Sequence, residues 1–136
     1  MKNVNGFTFM QLMVVTAVIM LIAAFSYPMY EDHVMRAKRT HAEETLLDIS
    51  SQLEHYYSLY DTYATASLDR IKFVAPQSKN GYEYIIQNQT ERTYIISAIP
   101  QGAQEKDINC AALTLNSVGD KGITGPGSVE MCWDLK

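Results

Sequence analysis

No charged side chain occurs between Lys2 and Glu31, so 28 consecutive residues, Asn3 to Tyr30, are uncharged in a chain of 136. Such a stretch cannot supply the solvated face of an ordinary surface helix. Glycine is missing from Phe7 to Tyr60, and Pro28 is the one proline there, which removes most helix breakers from the first part of the protein. Cysteine is scarce. Cys110 and Cys132 are the only two, too few for a disulfide scaffold or a thiolate metal cage, and one bridge is the natural suggestion. A basic excess is absent as well: 11 Lys and Arg stand against 15 Asp and Glu, giving a net charge of −4 and a pI near 5.3. Tight sequence-independent binding of nucleic acid needs a basic footprint, so this balance argues against it. The patterns G-x-G-x-x-G, G-x-x-x-x-G-K and G-x-S-x-G do not occur, and no phosphate cradle or nucleophile elbow is expected.

What the chain does have is enough apolar material, 47% against 19% charged, for one domain with a modest core. It is unevenly spread. The run from Phe7 to Tyr30 is 24 residues long, and a helix of about 20 residues spans the hydrocarbon of a bilayer. A small domain cannot surround such a helix on every face, and the run is longer than the roughly 7–15 residues of a secretory signal core and lacks a good Ala-x-Ala site. The segment is therefore expected to insert into a membrane. Charge alone points the following domain toward the cytoplasm, since Arg36, Lys38 and Arg39 outnumber Lys2. The cysteine pair points the other way, because thiols are oxidised into staples outside the cytoplasm.

Beyond the apolar run, Ala42, Leu46, Ile49, Leu53, Tyr56 and Tyr60 recur at spacings of 4, 3, 4, 3 and 4, one stripe of an α-helix. A single helix from Phe7 to Tyr60 is expected, half of it apolar all round and half amphipathic, ending at Asp61. Tyr82 to Asn88 and Thr93 to Pro100 are β-branched and aromatic runs around a short polar turn, which reads as an antiparallel hairpin. Ala112 to Asn116 alternates as a third strand, and Val129 to Leu135 is a candidate fourth after the turn-rich run Gly119 to Gly127. The fold class is α+β: a long N-terminal helix with an antiparallel sheet of three or four strands packed on its second half.

The first thirty residues resemble a type IV prepilin: a short leader MKNVNG with one lysine, then Gly6, Phe7, Thr8 and the apolar run. The segments RAKRTHAEETLLDISSQLEHYYS, CAALTLNSVGDKG and MCW extend the resemblance to PilE-type minor pilins. The resemblance implies cleavage by a prepilin peptidase between Gly6 and Phe7, N-methylation of Phe7, and a helix kinked at Pro28. It divides the chain into a leader (1–6), a filament-core half-helix (7–30) and a periplasmic head (31–136), bridged by Cys110 and Cys132. It also implies a precursor held in the bacterial inner membrane, assembly with other pilin subunits through the helix, and final residence in an extracellular filament. Family members carry a glutamate where this chain has Gln11, thought to pair with a neighbour's N-terminal ammonium. Gln11 keeps the size and hydrogen bonding and loses the charge.

His33, His41 and His55 are spaced by 8 and 14, not the i, i+4 of paired helical metal ligands. No metal, cofactor or catalytic residue is expected. Glu43, Glu44 and Asp48 read as a solvated helix face, and Tyr56, Tyr57, Tyr60 and Tyr63 as core and rim packing. Two further readings stay open. A pseudopilin of a type II secretion system shares the leader and helix. A DNA-uptake pilin would need Arg70, Lys79, Arg92, Lys106 and Lys121 to converge on one surface.

Overall fold

The computed structural model describes residues 6–74 and 81–133, without the side chains of Tyr27 and Pro28. Leader residues 1–5, Lys79, the last residues of the segment running to Leu135 and the Pro28 ring lie outside that description. Helix α1 spans Phe9–Tyr60, followed by strands β1 (Tyr82–Gln87), β2 (Ile95–Pro100), β3 (Leu113–Asn116) and β4 (Lys121–Ile123) and a single helical turn, α2 (Val129–Cys132). The four strands form one antiparallel sheet in the order β1-β2-β3-β4. The chain divides into two compact units, Met1–Val34 and Met35–Lys136.

In the first unit every described side chain from Phe7 to Tyr30 is exposed. Helix α1 begins with a reciprocal cap. The Gln11 amide donates to Thr8 Oγ1 at 3.3 Å, and the Thr8 amide donates to Gln11 Oε1 at 3.0 Å. This is the Thr-x-x-Gln capping box, which satisfies two backbone donors that a helix start otherwise leaves open. Farther along, the hydroxyls of Thr16 and Ser26 donate to the Met13 and Ile22 carbonyls. Those two hydroxyls are turned back onto their own helix, and the described side chains exposed there are mostly apolar.

The second unit is a two-layer head. Ala42, Leu46, Ile49, Leu53 and Tyr56 of α1 form one core with Tyr82, Tyr84, Tyr94, Ile96, Ala98, Leu113 and Leu115 of the sheet. The alternation of the strands follows from their register: Tyr84, Ala98, Leu113 and Ile123 make one inward row, and Ile86, Ile96, Leu115 and Lys121 the next. Tyr60, the sixth member of the expected stripe, is 61% exposed. It lies on the last turn of the helix and leans on the Tyr56 ring, 4.5 Å away between centroids. Asp61 then stops the helix in the left-handed region (φ 55°) while its amide closes the last bond to the Tyr57 carbonyl.

The fourth strand is not the candidate segment Val129 to Leu135. It is Lys121–Ile123, inside the turn-rich run, because the Asn116 side chain builds a tight turn. Its Oδ1 accepts from the Val118 and Asp120 amides at 3.0 and 2.8 Å, and Gly119 supplies φ 92°. The chain returns directly along β3. Val129–Cys132 is helical instead, started by Ser128, whose Oγ accepts from the Met131 amide, with Glu130 in the first turn. The turn delivers Cys132 to Cys110, with Cα atoms 5.6 Å apart. It also seats Trp133, 1% exposed, with Nε1 donating to the Gly122 carbonyl at 2.9 Å. Close approach demands glycine here, since a Cβ at Gly125 would collide with the Asn109 carbonyl.

The connection between β2 and β3 is fastened to α1 by polar latches. Arg39 donates from Nε and Nη2 to Asp107 Oδ2 at 3.0 and 2.6 Å, and Gln104 Nε2 donates to the Met35 carbonyl and to Tyr82 Oη. Gln104 is 1% exposed. The latches fix the 310 turn Gly102–Lys106 beside the Met35 end of the helix.

Candidate functional site

Two regions carry the residues that sequence analysis singled out. The first is the start of the chain. Gly6, Phe7 and Thr8 precede the helix and are exposed, Phe7 by 85%. Gln11 follows one turn later and is engaged with Thr8. Helix α1 is long and apolar enough to cross a membrane, by length and composition. The backbone of residue 28 lies within α1.

The second region is the end of the head where α1 stops. The β1–β2 turn and the β3–β4 turn share one end of the sheet and are tied by the Ser117 amide to the Tyr94 carbonyl at 3.1 Å. The loop after α1 joins them. The Tyr63 amide donates to the Glu91 carbonyl at 3.1 Å, and Gln89 Nε2 donates to the Ala66 carbonyl at 2.7 Å. Arg70, Arg92 and Lys121 therefore gather at this end, with Lys72 beside Arg70. Lys106 does not: its 310 turn follows the opposite end of β2, near Met35 and Arg39. The gathered cations are interleaved with Asp61, Asp69, Glu91 and Asp120, so the charge of this end is nearly balanced. Lys121 is partly committed, its ammonium standing 5.1 Å from the Trp133 ring centroid.

A tyrosine cluster underpins this end. Tyr63 and Tyr94 both donate to Glu54 Oε1, at 2.9 and 3.2 Å, and the Tyr94 hydroxyl also meets Ser50 Oγ at 2.9 Å. Tyr63 stacks on Tyr57 and meets Tyr94 edge-on. Burial is the largest cause that raises the phenols of Tyr63, Tyr82, Tyr84 and Tyr94 above their ordinary range, and the Glu54 carboxylate adds to it at Tyr63. Tyr56 is lowered instead, first by its bond to Thr65 and then by Arg70.

These shifts give a signed expectation. An unfolded tyrosine loses its proton near pH 10, whereas the raised groups keep theirs in the fold. Above that pH the unfolded chain binds fewer protons, and stability falls as pH rises, with Tyr56 offsetting a part. Urea midpoints of the detergent-solubilised protein should hold level from about pH 7 to 9 and drop steeply above about pH 10. A midpoint unchanged well above pH 10 would contradict the buried cluster.

His33, His41 and His55 are all exposed, with His41 Nδ1 3.3 Å from Glu44 Oε2. Among the described residues no group of His, Cys, Asp and Glu is placed to hold a metal ion. The capping box has a sequence signature in Thr8-x-x-Gln11, whereas only the order of the strands determines that the three cations gather.

The structure is similar to that of the non-core minor pilin PilV of Neisseria meningitidis, with a TM-score of 0.56 at 20% identity, covering 68% of this chain and 89% of that one. It is also similar to a type IV pilin from Shewanella oneidensis, with a TM-score of 0.51 at 21% identity, covering 64% and 89%. These likenesses establish the type IV pilin fold. Comparison with curated proteins finds no match. A family model described as type IV minor pilin ComP, DNA uptake sequence receptor, matches residues 28–114, well over half of the 136. The long helix, the four-stranded sheet and that match lead to one conclusion: the chain belongs to the ComP family of type IV minor pilins.

Proposed function

We propose that this minor pilin is made as an inner-membrane precursor with its head in the periplasm, is cut by a prepilin peptidase between Gly6 and Phe7, is methylated at Phe7, and then enters a surface filament. On this reading residues 1–6 are the leader, 7–30 the filament-core segment and 31–136 the head. Gln11 and Pro28 belong to the assembly segment. The observation that carries the proposal is the exposed apolar half of α1. A helix that shows a mostly apolar surface outward is stable in hydrocarbon or against like helices and costly in water. The same surface serves both stages, so transfer from membrane to filament exchanges one apolar environment for another.

Gly6→Val tests the processing step. The peptidase family needs a small residue before the cut, so this variant should keep its leader, while the unaltered chain should begin at Phe7 on N-terminal sequencing. A mature start beyond Ala24 would point to an ordinary signal peptide.

A second reading, recognition of DNA during uptake, is supported by the description of the matching family and by the gathering of Arg70, Arg92 and Lys121 at one end of the head. Phosphate contacts from such side chains would make affinity fall with salt. The near balance of charge there favours a site that depends on a few contacts over a broad basic field. Arg70→Glu with Arg92→Glu should weaken binding to duplex DNA carrying an uptake sequence by at least about tenfold, the scale of lost charged contacts. Lys106→Glu, at the opposite end of β2, should change it little. A loss in Lys106→Glu as large per unit of charge as in the double variant, which changes the charge twice as much, would mean that the effect is net charge alone.

A further inference from the structure

We propose that Val118, at the tip of the β3–β4 turn, contacts the 5-methyl group of thymine in the major groove of duplex DNA. The inference rests on the reading of the head as a DNA receptor and adds to it a residue that selects sequence. Arg70, Arg92 and Lys121 at the same end are suited to phosphates, and such contacts position a protein on DNA without telling one base from another. Selection needs a group that meets base edges.

The turn is built to present one side chain. Asn116 Oδ1 accepts from the Val118 and Asp120 amides at 3.0 and 2.8 Å. The Gly119 amide donates to the Asn116 carbonyl at 3.0 Å, and the Ser117 amide to the Tyr94 carbonyl at 3.1 Å. The amides from Ser117 to Asp120 are thus all spent inside the head, and the turn keeps no backbone donor with which to cradle a phosphate. Asp120 adds a carboxylate there, its Oδ2 accepting from Asn116 Nδ2 at 3.0 Å, and this charge repels the DNA backbone. What projects is Val118, 82% exposed. Its neighbours leave it clear: Ser117 is small, and a Cβ at Gly119 would meet nothing within 4 Å.

An apolar tip on a fixed turn, set among cations and unfit for phosphate, matches an apolar group on a base edge. In the major groove that group is the thymine methyl, since the other base edges present hydrogen-bond donors and acceptors. Valine is stiff at χ1 and loses little rotamer freedom on contact. Wedges that part base steps from the minor groove are commonly Phe, Leu, Ile, Met or Pro, and valine is not among them.

The test measures binding of the detergent-solubilised full chain, at one salt concentration, to duplex DNA carrying an uptake sequence and to the same duplex with every thymine replaced by uracil. The exchange removes the methyl groups and keeps pairing and charge. The unaltered protein should bind the thymine duplex about three- to fivefold more tightly, the scale of burying one methyl group. Val118→Ala should lose that preference and bind both duplexes as the unaltered protein binds the uracil form. Ile108→Ala, which trims a side chain 71% exposed next to Asp107 at the opposite end, should keep the preference. Equal affinity of the unaltered chain for both duplexes, or a preference that Val118→Ala retains, would overturn this inference and leave the DNA reading standing. So would an equal loss on both duplexes in Val118→Ala, the mark of a backbone contact or a wedge. No binding of the unaltered chain to either duplex would overturn the DNA reading, and this inference with it.

Discussion

Trp133→Ala is expected to destabilise the head by about 3–5 kcal/mol, the range for truncating a fully buried large aromatic. Three contributions act together. The side chain is 1% exposed and fills space against β4, its Nε1 satisfies the Gly122 carbonyl at 2.9 Å, and its ring lies beneath the Lys121 ammonium. A domain of this size is stable by only about 5–15 kcal/mol, so the loss is a large fraction of the whole. Trp133→Phe separates packing from hydrogen bonding. It keeps most of the ring volume and gives up the Nε1 donor, and should cost about 1–3 kcal/mol plus a part of the cavity cost. Near-ultraviolet circular dichroism of the head tyrosines during urea unfolding reads both variants. A loss below about 1 kcal/mol for the alanine would mean that the C-terminal turn is not part of the core.

The paired change Cys110→Ala with Cys132→Ala is the second large effect. Both sulfurs are fully buried, and the bridge closes a loop with a sequence separation of 22. On the chain-entropy model such a loop contributes about 3.4 kcal/mol by restricting the unfolded chain. The loop contains β3, β4 and α2, so without the bridge the last strand and Trp133 depend on packing and on hydrogen bonds such as that from Trp133 to the Gly122 carbonyl. Alanine is preferred over serine because a buried hydroxyl without a partner would add its own penalty. The mass of the unaltered protein should show two hydrogens fewer than the dithiol. Its urea midpoint should fall on reduction to that of the double variant. Two freely alkylatable thiols in folded protein would contradict the bridge.

The parts of this fold that were legible in the sequence are those with strong local periodicity. The stripe Ala42-Leu46-Ile49-Leu53-Tyr56 specifies the helix and its buried face without reference to anything else, and the runs from Tyr82 and Thr93 mark a hairpin in the same way. Strand β4 was not legible, because Lys121-Gly122-Ile123 has little strand preference of its own. It is a strand because the Asn116 turn aims it along β3. Val129–Cys132 alternates like a strand, yet the Ser128 cap and the need to bring Cys132 to Cys110 make it helical. The end of the head illustrates a different limit. Arg70, Arg92 and Lys121 were separate candidates in the sequence, and topology alone decides that they meet and that Lys106 stands apart. Gln11 was noticed for the charge it lacks. Its bond to Thr8 was equally legible, and it explains how a neutral side chain at this position remains useful to the fold.

The central claim is that this minor pilin leaves the membrane by its processed helix and becomes part of a filament. The most direct measurement is mass spectrometry of filaments sheared from cells and washed free of membrane. The account predicts this chain among the filament proteins, beginning at Phe7, with Cys110 and Cys132 joined. Filaments that lack it, with the chain confined to the membrane fraction and still carrying residues 1–6, would contradict the account.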